Sequence, residues 1–201
     1  MTPAEERIAR AQEEYRSLVV LEPLAAQSLL VPGSGPTNAP FLVVGEAPGE
    51  EEVRQGKPFV GRSGRQLFEM LAEVGVQRRM CYVTNVVLYR PPSNRTPHSF
   101  EVAASRARLA AEILAVRPGL VITCGATAKS AVSPLAGRIS DIHGRIGTVA
   151  IADWPDSLQV PWLPTFHPAA ALRSTDTAEL MAEDLAVLRR ITQGMRMVMG
   201  S

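Results

Sequence analysis

Long apolar runs are missing from this chain. None approaches the ~18 residues that a membrane span requires, and no signal-peptide pattern opens the sequence. No membrane association is expected, and the expected location is intracellular and cytoplasmic. Cysteine is scarce: Cys81 and Cys124 are the two present, each inside an apolar run where a free buried thiol is the ordinary state. That excludes a fold built on disulfides. The three histidines, His98, His143 and His167, show no metal-ligand spacing, so no metal centre is expected. Lysine is reduced to Lys57 and Lys129, and nearly all the positive charge is arginine.

What is present describes a globular protein. With 201 residues, 46% apolar and 20% charged, the chain reads as one domain with room for a sizeable core. The net charge of +1 hides a division. Residues 1–52 carry 3 basic and 9 acidic side chains, net −6, and residues 53–201 carry 18 and 11, net +7. This asymmetry allows a local basic face for a polyanion, although an evenly spread excess would give the same count.

The stretch from Phe41 to Gly64 organises the rest. Phe41-Leu42-Val43-Val44 has the length and branching of a buried strand. It stops at Gly45-Glu46-Ala47-Pro48-Gly49, where two glycines and a proline break regular structure. Glu50, Glu51 and Glu52 follow, then Gly56-Lys57-Pro58-Phe59-Val60-Gly61 and Gly64. Loops longer than about 12 residues without their own structure are uncommon unless functional. In an open α/β sheet ligands bind beyond the carboxyl ends of strands. Bare backbone, carboxylates and one aromatic ring suit a small planar ligand; a solvated acidic tip is the plainer alternative.

Elsewhere the chain alternates. Thr2-Pro3 caps a surface helix over residues 3–18, and Glu22 to Pro40 reads as a wrapping loop. A helix over Gln66–Val74 ends at Gly75, and Cys81 to Val87 is a second strand carrying an odd polar residue, Asn85. Arg90 to Pro97 is irregular, and Phe100–Val116 is helical. Leu120–Cys124 is a third strand, followed by Gly125-Ala126-Thr127-Ala128, a helix start able to hold a phosphate. Residues 137–151 form an excursion or short hairpin, and Val160–Phe166 is the last strand. His167-Pro168 then opens a turn of helix, the final helix spans about Thr177–Ile191, and the methionine-containing tail frays. Such alternation predicts an α/β fold, a three-layer α/β/α sandwich around a central, mainly parallel four-stranded sheet.

Three segments together resemble one family. Gly45-Glu46-Ala47-Pro48-Gly49 with Gly56 to Gly64 around Phe59 resembles the first motif of the uracil-DNA glycosylases, in their family-four branch. Thr84-Asn85 with Arg90-Pro91-Pro92 and Asn94-Arg95-Thr96-Pro97 is similar to that branch's next motif. His167-Pro168-Ala169-Ala170 with Arg173 is similar to its last. Order and spacing agree over residues 40–190. The resemblance implies a single domain over residues 1–201, with an N-terminal helix and loop in 1–40 and a catalytic core in 41–192. Family four also carries an iron–sulfur cluster on four cysteines. This chain has Val19, Glu22, Tyr89 and Ser105 at the corresponding places, and two thiols cannot supply four ligands. No cluster and no other cofactor is expected; packing and hydrogen bonds are expected to fill its place. Val53 stands where the family often has an acid.

The resemblance implies base excision repair chemistry on uracil-containing DNA, with the base flipped out of the duplex. Phe59 would stack on it, the alternative being a ring that plugs the core. Asn85 would read the base edge, the alternative being a strand-end cap. His167 would stabilise charge on the leaving base, and the Ala47 N–H is a second donor. Glu46 and Glu52 are the candidate catalytic acids, for orienting water, steadying the sugar cation or excluding thymine. Arg90, Asn94, Arg95 and Arg173 would contact phosphates, and Ala170, Ala171 and Leu172 would fill the gap left by the flipped base. With no lysine placed as an amine nucleophile, the expected reaction is monofunctional and leaves an abasic site, carried out by a monomer associated with the nucleoid. The alternatives are a non-catalytic binder of deaminated-base or abasic DNA, and a glycosylase for hypoxanthine or xanthine.

Overall fold

The computed structural model of the chain describes residues 1–19, 29–133, 137–151 and 159–199. In order these form α1 (Pro3–Val19), β1 (Phe41–Gly45), α2 (Glu50–Gln55), α3 (Arg62–Glu73), β2 (Cys81–Asn85), α4 (Ser99–Val116) and β3 (Leu120–Cys124). Then come α5 (Ala126–Val132), α6 (Ile139–Ile142), β4 (Gly147–Thr148), β5 (Pro161–Thr165), α7 (Pro168–Ala171), α8 (Thr175–Ala186) and α9 (Leu188–Met199). Single 3₁₀ turns cover Arg78–Met80 and Pro92–Asn94.

The sheet order is β2-β1-β3-β5-β4. The first four strands are parallel, with Gly45 opposite Asn85, Val44 opposite Thr123 and Cys124 opposite Thr165. Alternate residues face opposite layers. Leu42, Val44, Tyr82 and Val121 pack with Ile8 and Tyr15 of α1 and with Leu109 and Ile113 of α4. Phe41, Val43, Val83, Ile122 and Leu163 pack with Leu67 and Leu71 of α3 and with Met181 and Leu185 of α8. Helices on both faces explain why these strands read as continuous apolar runs rather than alternating ones.

The expected three-layer α/β/α sandwich is present, with one correction: the sheet has five strands, not four. The extra strand, β4, pairs antiparallel with β5 through Gly147–Trp162 and Thr148–Pro161. Two residues containing a glycine leave no strand signature in a sequence; only the neighbouring edge of β5 makes them one. The C-terminal helix is likewise two, broken at Val187, and continues to Met199 where fraying was expected. The wrapping segment closes the other edge of the sheet. Ser34 and Val83 exchange backbone hydrogen bonds of 2.9 and 2.8 Å, which protects the β2 edge from further pairing. No helix among the described residues is long and apolar enough to cross a membrane.

A buried ion pair ties α4 to the carboxyl end of β2. Arg108, 3% exposed, donates through Nη1 to Glu112 Oε2 at 2.7 Å and through Nη2 to the carbonyls of Asn85 and Val86, each at 2.7 Å. Gln12 of α1 donates to the other Glu112 oxygen at 3.0 Å. Both charges are thus paired, as keeping such a pair inside requires, with Arg108 Nε the one guanidinium nitrogen that is buried without a partner. Glu112→Leu leaves the guanidinium without its counter-charge and is expected to cost about 3–5 kcal/mol, read as a lower urea midpoint at unchanged m. Adding Arg108→Met should recover part of that loss, and only part, because the two carbonyls then lack a donor.

Candidate active site

The loops leaving the carboxyl ends of β1, β2 and β5 enclose a cleft of about 580 Å³. It is lined by Glu46, Ala47, Glu52, Phe59, Asn85, Arg90, Asn94, Arg95, His167 and Arg173, together with Ser63 and Ala169. Ten of the thirteen residues singled out from the sequence therefore meet in one place, while Ala171 is buried in α7. Ala170 is exposed on α7, and Leu172 lines an adjoining groove with Arg62 and Arg173.

Gly45 sets the floor. A Cβ there would lie 2.3 Å from Asn85 Oδ1 and 2.5 Å from Phe59 Cζ, so only glycine lets the ring and the amide come together over the end of β1. Asn85 is 2% exposed. Its carbonyl is held by Arg108, while its side-chain amide has no partner among the described residues and opens on the cleft. Phe59 sits at φ 55°, a left-handed conformation that costs a non-glycine residue about 1–3 kcal/mol. A Cβ on Gly64 would fall 2.4 Å from the Phe59 carbonyl carbon, which is how α3 starts so close beneath that ring.

The two acids differ in their engagement. Glu52 accepts the N–H of Gly49 at 3.1 Å on one oxygen and that of Gly61 at 2.7 Å on the other. It closes the loop like a buckle, and its buried carboxylate, 9% exposed, is stabilised by backbone donors. Glu46 accepts from Thr127 Oγ1 at 2.5 Å on Oε2 alone. That bond joins the β1 loop to the first turn of α5, at the point where the strand order reverses. The turn after β3 does not line the cleft. It supports the site from behind, Thr127 through Glu46 and Gly125 through close approach, a Cβ at Gly125 meeting His167 Cβ at 3.0 Å.

His167 caps α7, its Nδ1 accepting the Ala169 N–H at 3.1 Å. An Nδ1 that accepts leaves the ring proton on Nε2. Burial pushes the His167 pKa down; Glu46 opposes this and Arg173 adds to it. The ring is accordingly a neutral Nε2–H donor.

Of the basic residues, Arg95 clasps Glu101 with both Nη atoms, at 2.6 and 3.0 Å. Burial opposes ionisation of Glu101, but the bonds from Arg95, Tyr89 and the His98 N–H prevail and hold its carboxyl down at about 2. Arg90 donates to Asn94 Oδ1 at 2.8 Å and Arg173 is exposed. Sequence reasoning missed Thr127, Arg108 and Glu101 as parts of the site; each touches it only through another residue. Among the described residues no three His, Cys, Asp or Glu side chains gather where they could hold a metal ion.

The chain is similar to known proteins over most of its length. The model of the uracil DNA glycosylase superfamily matches residues 32–189. A Type-4 uracil-DNA glycosylase of Thermotoga maritima is 40% identical over 159 residues, 78% of this chain and 79% of its own. A protein of the same description from Sulfurisphaera tokodaii is 35% identical over 163 residues, 80% of this chain and 74% of its own. A Type-5 uracil-DNA glycosylase of Pyrobaculum aerophilum is 33% identical over 178 residues, 80% and 74% of the two chains. The chain belongs to the uracil DNA glycosylase superfamily, a family of glycosylases that hydrolyse N-glycosyl bonds.

The charge state of His167 is directly measurable. Nitrogen-detected NMR is expected to show an Nε2–H tautomer titrating below the ordinary histidine value of 6.5. Arg173→Ala should raise that midpoint by removing a positive neighbour, and Glu46→Gln should lower it by removing a negative one. The unfolded chain takes up a proton near 6.5 and the folded site resists it, so this residue's share of stability is lost as pH falls below that value.

Proposed function

We propose that the protein is a monofunctional uracil-DNA glycosylase that removes uracil from DNA in base excision repair. The observation that carries this reading is the side-chain amide of Asn85, which lines the cleft beside the Phe59 ring over Gly45. The amide faces the cleft, and a flipped uracil offers it a matched donor and acceptor in place of solvent. Asn85 Oδ1 accepts from N3–H and Nδ2 donates to O4, a pattern that cytosine reverses.

The remaining groups fall into place around that base. Phe59 stacks on its face. The Ala47 N–H and the neutral His167 Nε2–H donate to its oxygens, the latter to O2, where negative charge builds as the C1′–N1 bond breaks. The leaving uracil departs as a stabilised anion and the sugar as an oxocarbenium-like cation, which water attacks. Glu46, with one oxygen not taken by Thr127, is the better candidate to orient that water. Glu52, with both oxygens on backbone N–H groups, shapes the loop beside thymine's methyl position. Arg90, Asn94 and Arg173 meet phosphates, and Arg95 holds its loop through Glu101. Ala170 and Leu172, at the rim, fill the space left in the duplex. Neither Lys57 nor Lys129 lines the cleft, which supports hydrolysis without strand cleavage.

The iron–sulfur cluster implied by the family-four resemblance does not fit these residues. Tyr89 donates to Glu101, and Ser105 donates to the Glu101 carbonyl at 2.8 Å while its oxygen accepts from the Tyr15 hydroxyl at 3.4 Å. These are buried, satisfied hydroxyls where thiolates are needed. Val19's side chain and Glu22 lie outside the described residues. Cys81 and Cys124 are buried on β2 and β3, not at these positions, and two thiols cannot supply four ligands. We infer an enzyme without a cluster, a monomer with its catalytic core in residues 41–192, acting inside the cell at the nucleoid.

Single-turnover cleavage of an oligonucleotide with one deoxyuridine, developed with alkali, tests the reading. Strand breaks should appear only after alkali. His167→Ala should slow release about 10²–10³-fold, and Asn85→Ala should also slow it strongly. Tight binding of uracil or abasic DNA with no release at enzyme excess would instead establish a binder.

A further inference from the structure

Phe59 occupies a conformation that its side chain disfavours, and something must hold it there. The backbone around it shows what does. Arg78, in the 3₁₀ turn before β2, donates through Nη1 to the Phe59 carbonyl at 3.0 Å and through Nη2 to the Pro58 carbonyl at 2.5 Å. In extended backbone, successive carbonyls point in opposite directions; they point the same way only when the residue between them has helical φ and ψ, of either hand. One planar fork bonded to both carbonyls therefore selects the turned conformation at Phe59, where φ is 55°. A lysine, with its single point charge, has no such geometry.

Arg78 is itself fixed. Its guanidinium lies over the Phe68 ring, 4.5 Å from the centroid, and Phe68 meets Phe59 edge to face at 6.4 Å and 88°. Arg78, Phe68 and Phe59 thus form one stack of contacts running from the outer surface of α3 to the cleft, and Arg78 does not line the cleft itself. We infer that Arg78 is a positioning residue for base recognition, holding the Phe59 backbone in its turned conformation so that the ring faces the cleft before the base arrives. This rests on the reading of Phe59 as the stacking face for a flipped base.

A double-mutant cycle tests it, with single-turnover uracil release as the readout and urea unfolding as the control for folding. Arg78→Gln should slow release about tenfold with Phe59 present, and less than twofold in the Phe59→Ala background, where there is no ring left to position. Affinity for abasic DNA, which offers no base to stack, should be unchanged. Arg78→Lys keeps the charge and the apolar stem, and carries the test if the glutamine variant does not fold. It should show the same dependence on Phe59 with a loss of about three- to fivefold. An equal loss in both backgrounds, or a parallel loss of abasic-DNA affinity, would overturn the assignment while leaving the glycosylase reading intact. Failure of the wild type to release uracil, or release unaffected by Phe59→Ala, would overturn the stacking reading and the assignment with it.

Discussion

Four parallel strands ending at one edge of the sheet are the constraint on which the cleft depends. Parallel neighbours need crossover connections, which run through helices on the two faces and return every strand in the same direction. The loops after β1, β2 and β5 consequently leave together, and Gly45 stands opposite Asn85 in register. The order β2-β1-β3-β5 reverses between β1 and β3, so the loops on either side part and leave a crevice. The hydrogen bond from Thr127 to Glu46 ties the two sides together behind it. Residues 40 and more positions apart in sequence become neighbours through this topology alone.

Backbone groups at strand ends and in long loops lose their ladder partners, and this protein satisfies them with buried and half-buried charged side chains. Arg108 serves the carbonyls of Asn85 and Val86, Arg78 those of Pro58 and Phe59, Glu52 the N–H groups of Gly49 and Gly61, and Glu101 the N–H of His98. Each of these bonds is charge-assisted, roughly twice as strong as a neutral one. The result is a loop framework made rigid before any ligand binds, as an electrostatic site requires if it is to avoid reorganising during the reaction.

The network around Glu101 shows how a small polar core can fasten α1, the loop of residues 90–97 and α4 to one another. Tyr15, Tyr89, Arg95 and Ser105 converge there, with every named bond made to Glu101 or through Ser105. In the proposed reading this is what stands where related proteins are expected to carry an inorganic cluster. A fully satisfied network of this kind is stabilising because each donor finds an acceptor in a region of low dielectric.

The sequence by itself determined the strand cores, the layer order and the candidate site. Apolar runs such as Phe41–Val44 and Leu120–Cys124, bounded by glycine and followed by helical spacing, depend only on local pattern; Asn85 and His167 at predicted strand ends and Phe59 in the loop after the first strand were marked as a site by the resemblance to a known family. Its limits lay where one element creates another. Gly147–Thr148 is a strand only because β5 offers an edge, and the break at Val187 leaves no mark in the apolar spacing. The engagement of the two acids was equally out of reach. Glu46 and Glu52 look alike as loop acids, and only the fold gives one a hydroxyl from α5 and the other two backbone N–H groups. The same holds for Arg108 and Arg78, which read as ordinary helix and turn arginines until tertiary packing brings unpartnered carbonyls within reach. Pattern is local, and the satisfaction of buried polar groups is not.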